Sequence, residues 1–174
     1  TGVYNKAAIE SLIRKYLLIP PAAGACHALI IADLDHFKEA NDSCGHQFGD
    51  ALLAAFAAGL RAIVRTQDLV GRFGGDEFLL LLVNTPRASL SDVAARINGT
   101  AHRIDRETSA RYAAALAAKR PPLSASVGIA VTTQADDYDQ LFTAADRALY
   151  YVKQHGRTGW AIADELPDDT RTTN

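Results

Sequence analysis

The chain has 174 residues, 48% hydrophobic and 22% charged, which is typical of one globular domain with a substantial core. Its net charge of −2, from 18 basic and 20 acidic residues, argues against a nucleic-acid-binding protein, because such proteins normally carry a basic excess. Cys26 and Cys44 lack metal-type spacing and no apolar run matches a membrane helix of about 20 residues, so we expect reduced thiols and a cytoplasmic domain.

The first predicted elements are an amphipathic helix and a buried strand. Apolar residues recur at helical spacing over residues 9–17, and prolines follow. A continuous apolar run over residues 28–32 predicts a strand that leads directly into Asp33 and Asp35. Because side chains alternate along a strand, both carboxylates face the same side. Two such carboxylates are costly unless they are paired or bind a metal, and oxygen ligands of this kind suit Mg²⁺.

Two further helices are predicted after this strand. The first begins at Phe37, and the free backbone N–H groups of its first turn can bind an anion. A glycine-containing loop, residues 41–50, then leads to a long helix that begins at Asp50 and ends near Arg65. Asp50 is a good N-cap and Asn41 a common turn residue, so a structural role is open for both. Alternatively, this carboxylate and this amide read the edge of a nucleotide base.

A β-hairpin is predicted over residues 69–83, with its turn at Gly74 and Gly75, because paired glycines supply the positive φ of a tight turn. Asp76 is an ordinary turn residue, but Glu77 adds a second carboxylate directly before a buried strand. Adjacent carboxylates repel each other unless a cation or a basic partner lies between them. A charged tip that faces water is the simpler explanation, and the acidic pair after the first strand favours a metal site instead.

The second half of the chain predicts three helical segments and two strands. The helical segments are residues 89–104, with a capping-box pattern at Ser89, the Ala-rich residues 105–119, and residues 138–152. Strands are predicted over residues 123–131, with Gly128 at a close approach or a bulge, and over 160–162. This order predicts an α+β fold, a mainly antiparallel central sheet flanked by helices. The acidic, Thr-rich residues 165–174 are expected to be disordered.

Five short motifs occur in order along the chain. They are Asp33-Leu34-Asp35-His36-Phe37-Lys38, Asn41-Asp42, Gly45-His46, Gly49-Asp50 and Gly74-Gly75-Asp76-Glu77-Phe78. Together they resemble the GGDEF domain, the catalytic domain of bacterial diguanylate cyclases. One five-residue match is weak, but five motifs in this order and spacing are specific, and the resemblance covers nearly the whole chain. It implies one domain over residues 1–164, with a fold similar to the palm of nucleotidyl cyclases and polymerases.

The resemblance also implies an activity, in which two GTP molecules condense to cyclic di-GMP with loss of two pyrophosphates. Each domain would hold one GTP, and a homodimer would bring each ribose 3′-hydroxyl to the other α-phosphate. Mg²⁺ or Mn²⁺ is the implied cofactor. Such domains usually follow an N-terminal sensory or receiver domain, so we expect one outside this sequence, where a membrane anchor of the full-length protein could also lie.

The resemblance assigns metal and catalytic roles to four residues. Asp33 and Asp76, with the backbone carbonyl of Leu34, are the implied metal ligands. Glu77 would lie beside the metal as a further ligand and help to activate the attacking hydroxyl, so Asp76 and Glu77 are the implied catalytic residues. Phosphoryl transfer needs such a set because it depends mostly on positioning and charge neutralisation.

The implied substrate-binding residues are Phe37, Lys38, Asn41, Asp50, Gly74, Gly75, Lys153 and Arg157. Asn41 and Asp50 would hydrogen-bond guanine. Lys38 and the N–H groups around Phe37, together with Lys153 and Arg157, would hold the β- and γ-phosphates. From the residues alone, the simpler role of Lys153 and Arg157 is to match the dipole at a helix C-terminus.

The resemblance further implies an inhibitory product site at Arg65 and Asp68, an RxxD motif, with Arg96 as a second arginine. The alternative is a surface ion pair between Arg65 and Asp68, worth well under ~1 kcal/mol. Two other functions stay open: a binding module that senses cyclic di-GMP or GTP without catalysis, and a cyclase that makes a mixed guanine–adenine dinucleotide. The intact Gly-Gly-Asp-Glu-Phe motif favours the enzyme, and Asp50 favours guanine.

Overall fold

A computed structural model describes residues 2–112 and 119–167 of the chain. The helices in these ranges are α1 (Lys6–Leu17), α2 (Phe37–Cys44), α3 (His46–Ile63), α4 (Leu90–Ser109) and α5 (Tyr138–Gln154). The strands are β1 (Cys26–Asp35), β2 (Leu69–Arg72), β3 (Glu77–Thr85), β4 (Ser124–Thr132) and β5 (Gly159–Ile162). Within the same ranges, no helix is both long and apolar enough to cross a lipid bilayer.

The five strands form one sheet in the order β2-β3-β1-β4-β5. Central β1 pairs antiparallel with β3 and β4, β2 pairs antiparallel with β3, and β5 joins β4 in parallel. The predicted α+β fold with a mainly antiparallel sheet is therefore confirmed. β1 is buried over its whole length, which explains why its sequence is a continuous apolar run and not an alternating one.

Each face of the sheet packs on its own helices. On one face, Ile30 of β1 shares a core with Phe56 of α3 and with the apolar side of α4. On the other face, Ile31 shares a core with Ile13 of α1 and with the apolar side of α5. The alternation along β1 thus directs odd-numbered residues, including Asp33 and Asp35, towards the face that α5 covers.

Helix α5 approaches β4 most closely at Gly128. A Cβ atom on Gly128 would lie 2.1 Å from the carbonyl oxygen of Ala145 and 2.4 Å from the backbone nitrogen of Leu149. No side chain fits there, so the predicted close approach is confirmed. The contact fixes the height of α5 above the sheet and, with it, the position of its C-terminal turn.

The predicted boundaries of β1 are too short. The strand extends beyond residues 28–32 because its pairing with β4 continues until Asp35 lies opposite Ser124. Asp33 and Asp35 therefore lie within the strand and not after it, and both are buried.

The long helix begins earlier than predicted. Gly45, at φ 88°, ends α2 and is the N-cap of α3, so α3 begins at His46. Asp50 lies beyond the first turn of α3, and an N-cap role for it is wrong. Asn41 lies within α2, so its interpretation as a turn residue is also wrong. The expected loop is instead a single sharp junction at a glycine, which adopts this left-handed φ without a steric penalty.

The predicted hairpin is present, but its glycines act differently. Gly74 and Gly75 do not have positive φ, so the predicted backbone reason for them is wrong. The turn closes through the backbone N–H groups of Phe73 and Gly74, which donate to the carbonyl of Glu77 at 2.9 and 3.3 Å. A Cβ on Gly74 would lie 3.1 Å from Oε2 of Glu77. Gly74 thus leaves room for the glutamate side chain.

Helix α4 begins without the predicted capping box. The hydroxyl of Ser89 donates to the carbonyl of Pro86 (2.8 Å) and not to α4, which continues from a 3₁₀ helix, Arg87–Ser89. The helix continues to Ser109, so the first part of the predicted segment 105–119 belongs to α4. Residues 113–118 lie outside the described residues.

The predicted start of the disordered tail, residue 165, is too early in the chain. Glu165 ends a second 3₁₀ helix and its carboxylate accepts a bond from Arg87 at 2.8 Å. Leu166 is buried against the α1–α5 face. Residues 168–174, where the remainder of the predicted tail lies, are outside the described residues.

Candidate active site

Three acidic residues lie where β1 adjoins the hairpin tip. Asp33 lies directly opposite Glu77 in the β1–β3 ladder. The backbone N–H of Leu34 donates to the carbonyl of Asp76 at 3.3 Å. The turn is thus attached to the end of β1. Asp33, Asp76 and Glu77 therefore lie at one end of the sheet.

The last turn of α5 brings a cation to this end of the sheet. Nζ of Lys153 lies 2.8 Å from Oδ2 of Asp33. Burial raises the pKa of the Asp33 carboxyl above its ordinary value, and the charges of Asp76 and Glu77 raise it further, while Lys153 opposes the shift. Burial thus outweighs the lysine, and the protonated form of Asp33 is favoured relative to an exposed aspartate.

The carboxylates at this end of the sheet do not form a closed metal cage. Among residues 2–112 and 119–167, no three His, Cys, Asp or Glu side chains are clustered closely enough for a metal ion. The donors at this end of the sheet are nevertheless all oxygens, which Mg²⁺ and Mn²⁺ prefer. The residues fit a divalent ion that shares its coordination with phosphate oxygens, provided that Lys153 moves away from Asp33.

The first turn of α2 begins at the same end of the sheet as Asp33 and Asp35. His36 adopts a left-handed backbone (φ 63°), and the chain turns there from β1 into α2 at Phe37. The first N–H groups of a helix have no intrahelical acceptor and attract negative groups. In this structure the carboxylate of Glu39 accepts from its own backbone N–H and pairs with His36, and these interactions lower its pKa. Lys38 is exposed beside them.

A second cation, Arg157, lies close to the same end of the sheet. Its side chain is half exposed, and Nε is 3.9 Å from Oδ1 of Asp35. Lys153 and Arg157 therefore both face the carboxylates of β1. Their sequence position also suits the helix dipole, but the pairing of Lys153 with Asp33 directs that side chain to the acidic site.

The two residues expected to contact guanine lie across the α2–α3 junction. Oδ1 of Asn41 is buried and, within the described residues, has no hydrogen-bond partner. A Cβ on Gly49 would lie 2.2 Å from this oxygen, so the glycine of the Gly49-Asp50 motif makes room for the amide. Asp50, the next residue of α3, is exposed. No hydrogen bond to its carboxylate is formed by the described part of the chain.

The predicted product-binding residues line one cleft of about 240 Å³, which Arg65, Asp68 and Arg96 share with the start of α4. Asp68 is buried, and its carboxylate accepts from the backbone N–H groups of Arg65 at 2.8 Å and Val83 at 3.0 Å. Within residues 2–112 and 119–167, no ion pair joins the side chains of Arg65 and Asp68, so the surface ion-pair alternative is wrong.

Sequence reasoning missed the arginine that completes this turn. The guanidinium of Arg61 donates to the carbonyl of Asp68 at 2.7 Å and to the carbonyl of Arg65. These bonds hold the segment after α3 in place. Arg61 lies one helical turn before the RxxD motif, and this position in the sequence could have indicated its role.

The site also contains a buried polar group that the motifs did not assign. Both oxygens of Asp35 accept hydrogen bonds from serines on β4, Ser124 (2.7 Å) and Ser126 (2.8 Å). The alternation of these serines in a predicted strand was a signal that one face of β4 meets a polar group. Asp33 and Asp35 thus share a face but have different partners.

The family model described as “Diguanylate cyclase, GGDEF domain” matches residues 1–159. The probable diguanylate cyclase DgcC of Escherichia coli strain K12 is 32% identical over 164 residues, which cover 94% of this chain and 42% of DgcC. The chain therefore spans less than half the length of this relative. The GGDEF domain of YfiN (TpbB) from Pseudomonas aeruginosa is 31% identical, with a TM-score of 0.76, over 95% of this chain and 99% of that one. A microbial GGDEF domain solved to describe its interaction with cyclic di-GMP is 27% identical, with a TM-score of 0.74, over 93% and 95%.

Proposed function

The chain belongs to the GGDEF family of diguanylate cyclase domains, and from this premise we propose that it condenses two GTP molecules into cyclic di-GMP and two pyrophosphates. One observation carries the proposal. The carboxylates of Asp33, Asp76 and Glu77 lie at the same end of the sheet as Lys153 and the first turn of α2. Groups that bind a cation and groups that bind phosphates are thus adjacent, which phosphoryl transfer requires.

A divalent ion is part of this proposal. Bound Mg²⁺ or Mn²⁺ would neutralise charge on the triphosphate and make the attacking hydroxyl easier to deprotonate. Asp33, Asp76 and the backbone carbonyl of Leu34 would hold it, with Glu77 beside it. Gly74 and Gly75 add no side chains of their own to the hairpin tip, so that a nucleotide can lie against their backbone.

The reaction joins two nucleotides held by two copies of the domain. The 3′-oxygen of one GTP bonds to the α-phosphorus of the other, the bond from that phosphorus to the bridging oxygen breaks, and pyrophosphate leaves. Glu77 accepts the proton of the attacking hydroxyl. Lys38, Lys153 and Arg157, with the N–H groups around Phe37, hold the β- and γ-phosphates and stabilise the charge that develops on pyrophosphate.

Guanine is selected at the α2–α3 junction. Asp50 accepts from N1–H and the exocyclic amine of guanine, which adenine cannot offer in the same pattern. Asn41, on α2 before the same junction, supplies an amide that can donate to or accept from a base edge.

Two copies must meet for the reaction, so we expect a homodimer at least transiently. The chain spans 42% of DgcC and 33% of the diguanylate cyclase DosC of E. coli. Our proposal includes an N-terminal sensory or receiver domain in the full-length protein, which would control that encounter. The product would bind at Arg65, Asp68 and Arg96, whose shared cleft offers two planar guanidinium groups for guanine edges or phosphates. Bound product would hold two domains in an unproductive orientation.

The direct test is to incubate the chain at high concentration with GTP and Mg²⁺ and to measure cyclic di-GMP. We expect product from the wild type and none from Glu77→Gln or Asp76→Asn, each with an unchanged unfolding temperature. Glu107→Gln, an exposed carboxylate on α4, is the matched control and should keep full activity. A folded wild type that binds cyclic di-GMP or GTP but makes no product at any concentration would identify a binding module instead.

A further inference from the structure

The turn that carries Arg157 has an unfavourable backbone. Gly156, Arg157 and Thr158 have φ values of 104°, 61° and 54°, so three consecutive residues are left-handed. Glycine adopts this conformation freely, but a β-branched residue such as threonine rarely does, because its side chain clashes with its own backbone. Such a conformation persists only where neighbouring groups hold it.

The group that holds this turn is Asp35 at the end of β1. The backbone N–H of Thr158 donates to Oδ2 of Asp35 at 3.2 Å. The hydroxyl of Thr158 donates to Oγ of Ser124 at 2.8 Å, and Ser124 donates in turn to Oδ2 of Asp35 at 2.7 Å. Ser126 supplies a bond to Oδ1 at 2.8 Å. Backbone and side chain of Thr158 are thus both fixed, directly or through one serine, by a single carboxylate.

Asp35 also acts on Arg157 by its charge. Its side chain is fully buried, whereas that of Arg157 is half exposed, with Nε 3.9 Å from Oδ1. A buried carboxylate favours a nearby positive charge. Its hydrogen-bond donors in the described residues, two serines and one backbone N–H, are uncharged, so Arg157 is the cation that the structure pairs with it.

We propose that Asp35 is a positioning residue for GTP, which acts through Arg157 without touching the substrate. It stabilises the left-handed turn and draws the guanidinium towards the phosphate end of the site. The inference rests on the proposed function, which assigns Arg157 to the phosphates. Two aspartates two residues apart on one strand face then differ in role: Asp33 is a proposed metal ligand, and Asp35 sets the position of a phosphate-binding side chain.

A double-mutant cycle tests this coupling. The measured quantity is the equilibrium affinity for two nucleotides in the presence of Mg²⁺. The first is 3′-deoxy-GTP, which lacks the attacking hydroxyl and cannot react. The second is GMP, which lacks the β- and γ-phosphates. We expect Asp35→Asn and Arg157→Ala each to weaken 3′-deoxy-GTP about tenfold, as for one charge-assisted bond, and to change GMP little. In the Arg157→Ala background, Asp35→Asn should add less than about twofold, because coupled residues are not additive. In the cyclase assay Asp35→Asn should change KM and kcat in the same directions as Arg157→Ala and by no larger factors, because it acts through that side chain.

The controls separate this inference from the proposed function. Wild-type affinity of Arg157→Ala for 3′-deoxy-GTP would contradict the phosphate assignment itself. A loss with Arg157→Ala but none with Asp35→Asn would overturn only the role of Asp35, as would an equal effect of Asp35→Asn in both backgrounds. If Asp35→Asn does not fold, Ser124→Ala replaces it in the same cycle. That variant removes the hydroxyl between Thr158 and Asp35, and we expect a smaller loss that again disappears without Arg157. No loss with Ser124→Ala would then overturn the inference.

Discussion

Lys153 and Asp33 form an ion pair, with Nζ of the lysine 2.8 Å from Oδ2 of the aspartate. The pair joins a proposed phosphate ligand to a proposed metal ligand. While the pair is intact, each charge is balanced by the other and attracts its proposed ligand less strongly. We expect the triphosphate to draw Lys153 away as the divalent ion reaches Asp33, so that the two ligands assist each other's binding.

Removal of Lys153 should weaken the coupling between metal binding and nucleotide binding. In Lys153→Gln we expect the affinity for Mn²⁺ alone to rise about fivefold, the equivalent of about 1 kcal/mol for a partly exposed ion pair. Addition of 3′-deoxy-GTP should raise the Mn²⁺ affinity of this variant by a smaller factor than it raises that of the wild type. Electron paramagnetic resonance titration of free Mn²⁺ measures both quantities. Lys15→Gln, an exposed lysine on α1, is the control, and an unchanged affinity for Mn²⁺ alone in Lys153→Gln would show that the ion pair does not compete with the metal.

The same site should lower the stability of the metal-free fold. Because burial raises the pKa of Asp33 in the folded state, its protonated form is favoured there. Protonated Asp33 therefore contributes to the free energy of unfolding. This contribution is present in full below the pKa of Asp33 in the unfolded chain, and it is lost as the pH rises through the pKa of Asp33 in the folded protein. At pH 7 the ionised side chain therefore destabilises the fold relative to a neutral isostere.

We accordingly expect Asp33→Asn to raise the unfolding temperature at pH 7 without metal, while it abolishes cyclisation. The advantage should vanish below the ordinary aspartate pKa of 3.8, where the wild-type side chain is also neutral. Thermal unfolding of both proteins across this pH range measures the effect. Asp42→Asn, an exposed carboxylate on α2, should show no such difference. A lower unfolding temperature of Asp33→Asn at pH 7 would contradict the prediction.

Asp50 should decide between GTP and ATP. Since α3 begins at His46, Asp50 does not cap the helix, and its removal has little structural cost. We expect Asp50→Ser to change the unfolding temperature only slightly and to reduce the preference for GTP over ATP by at least about tenfold, as for a lost pair of hydrogen bonds to a base. Competition between the two nucleotides in the binding assay measures this. An unchanged preference would remove Asp50 from the base-reading site.

Product inhibition should depend on the arginines and not on a free Asp68 carboxylate. We expect Arg65→Ala and Arg96→Ala to relieve inhibition by cyclic di-GMP without lowering the initial rate. Inhibition of the wild type should be non-competitive with GTP, because the extended chain from Asp68 to the hairpin turn at Gly74 spans about 17–20 Å. Steady-state rates with added cyclic di-GMP test both points, and competitive inhibition would place the product in the GTP site.

Asp68→Ala should differ from these variants in stability. Its carboxylate accepts two backbone bonds in a buried turn, so we expect it to lose about 2–4 kcal/mol of unfolding free energy. Arg65→Ala leaves the backbone N–H of Arg65 in place and should lose under about 0.5 kcal/mol. Denaturant unfolding compares the two. Equal losses would mean that the Arg65 side chain, and not the carboxylate, holds the turn.

The sequence alone determined the fold class and the family. Hydrophobic periodicity predicted α1, α5 and the core of β1, because burial of one helix face or of a whole strand leaves a local pattern. Five motifs in order and at the right spacing were specific enough to identify the GGDEF domain. Gly128 was predicted as a close approach or a bulge, and the structure has the close approach to α5.

Tertiary structure alone decided how the carboxylates are used. Asp33, Asp35 and Asp68 are the same residue type, yet one pairs with Lys153, one holds the turn at Thr158 and one binds two backbone N–H groups. Their partners lie far away in sequence or depend on an exact turn geometry. A carboxylate binds whichever donor the packing of α5, β4 and β3 brings within about 3 Å, and no local pattern records that distance.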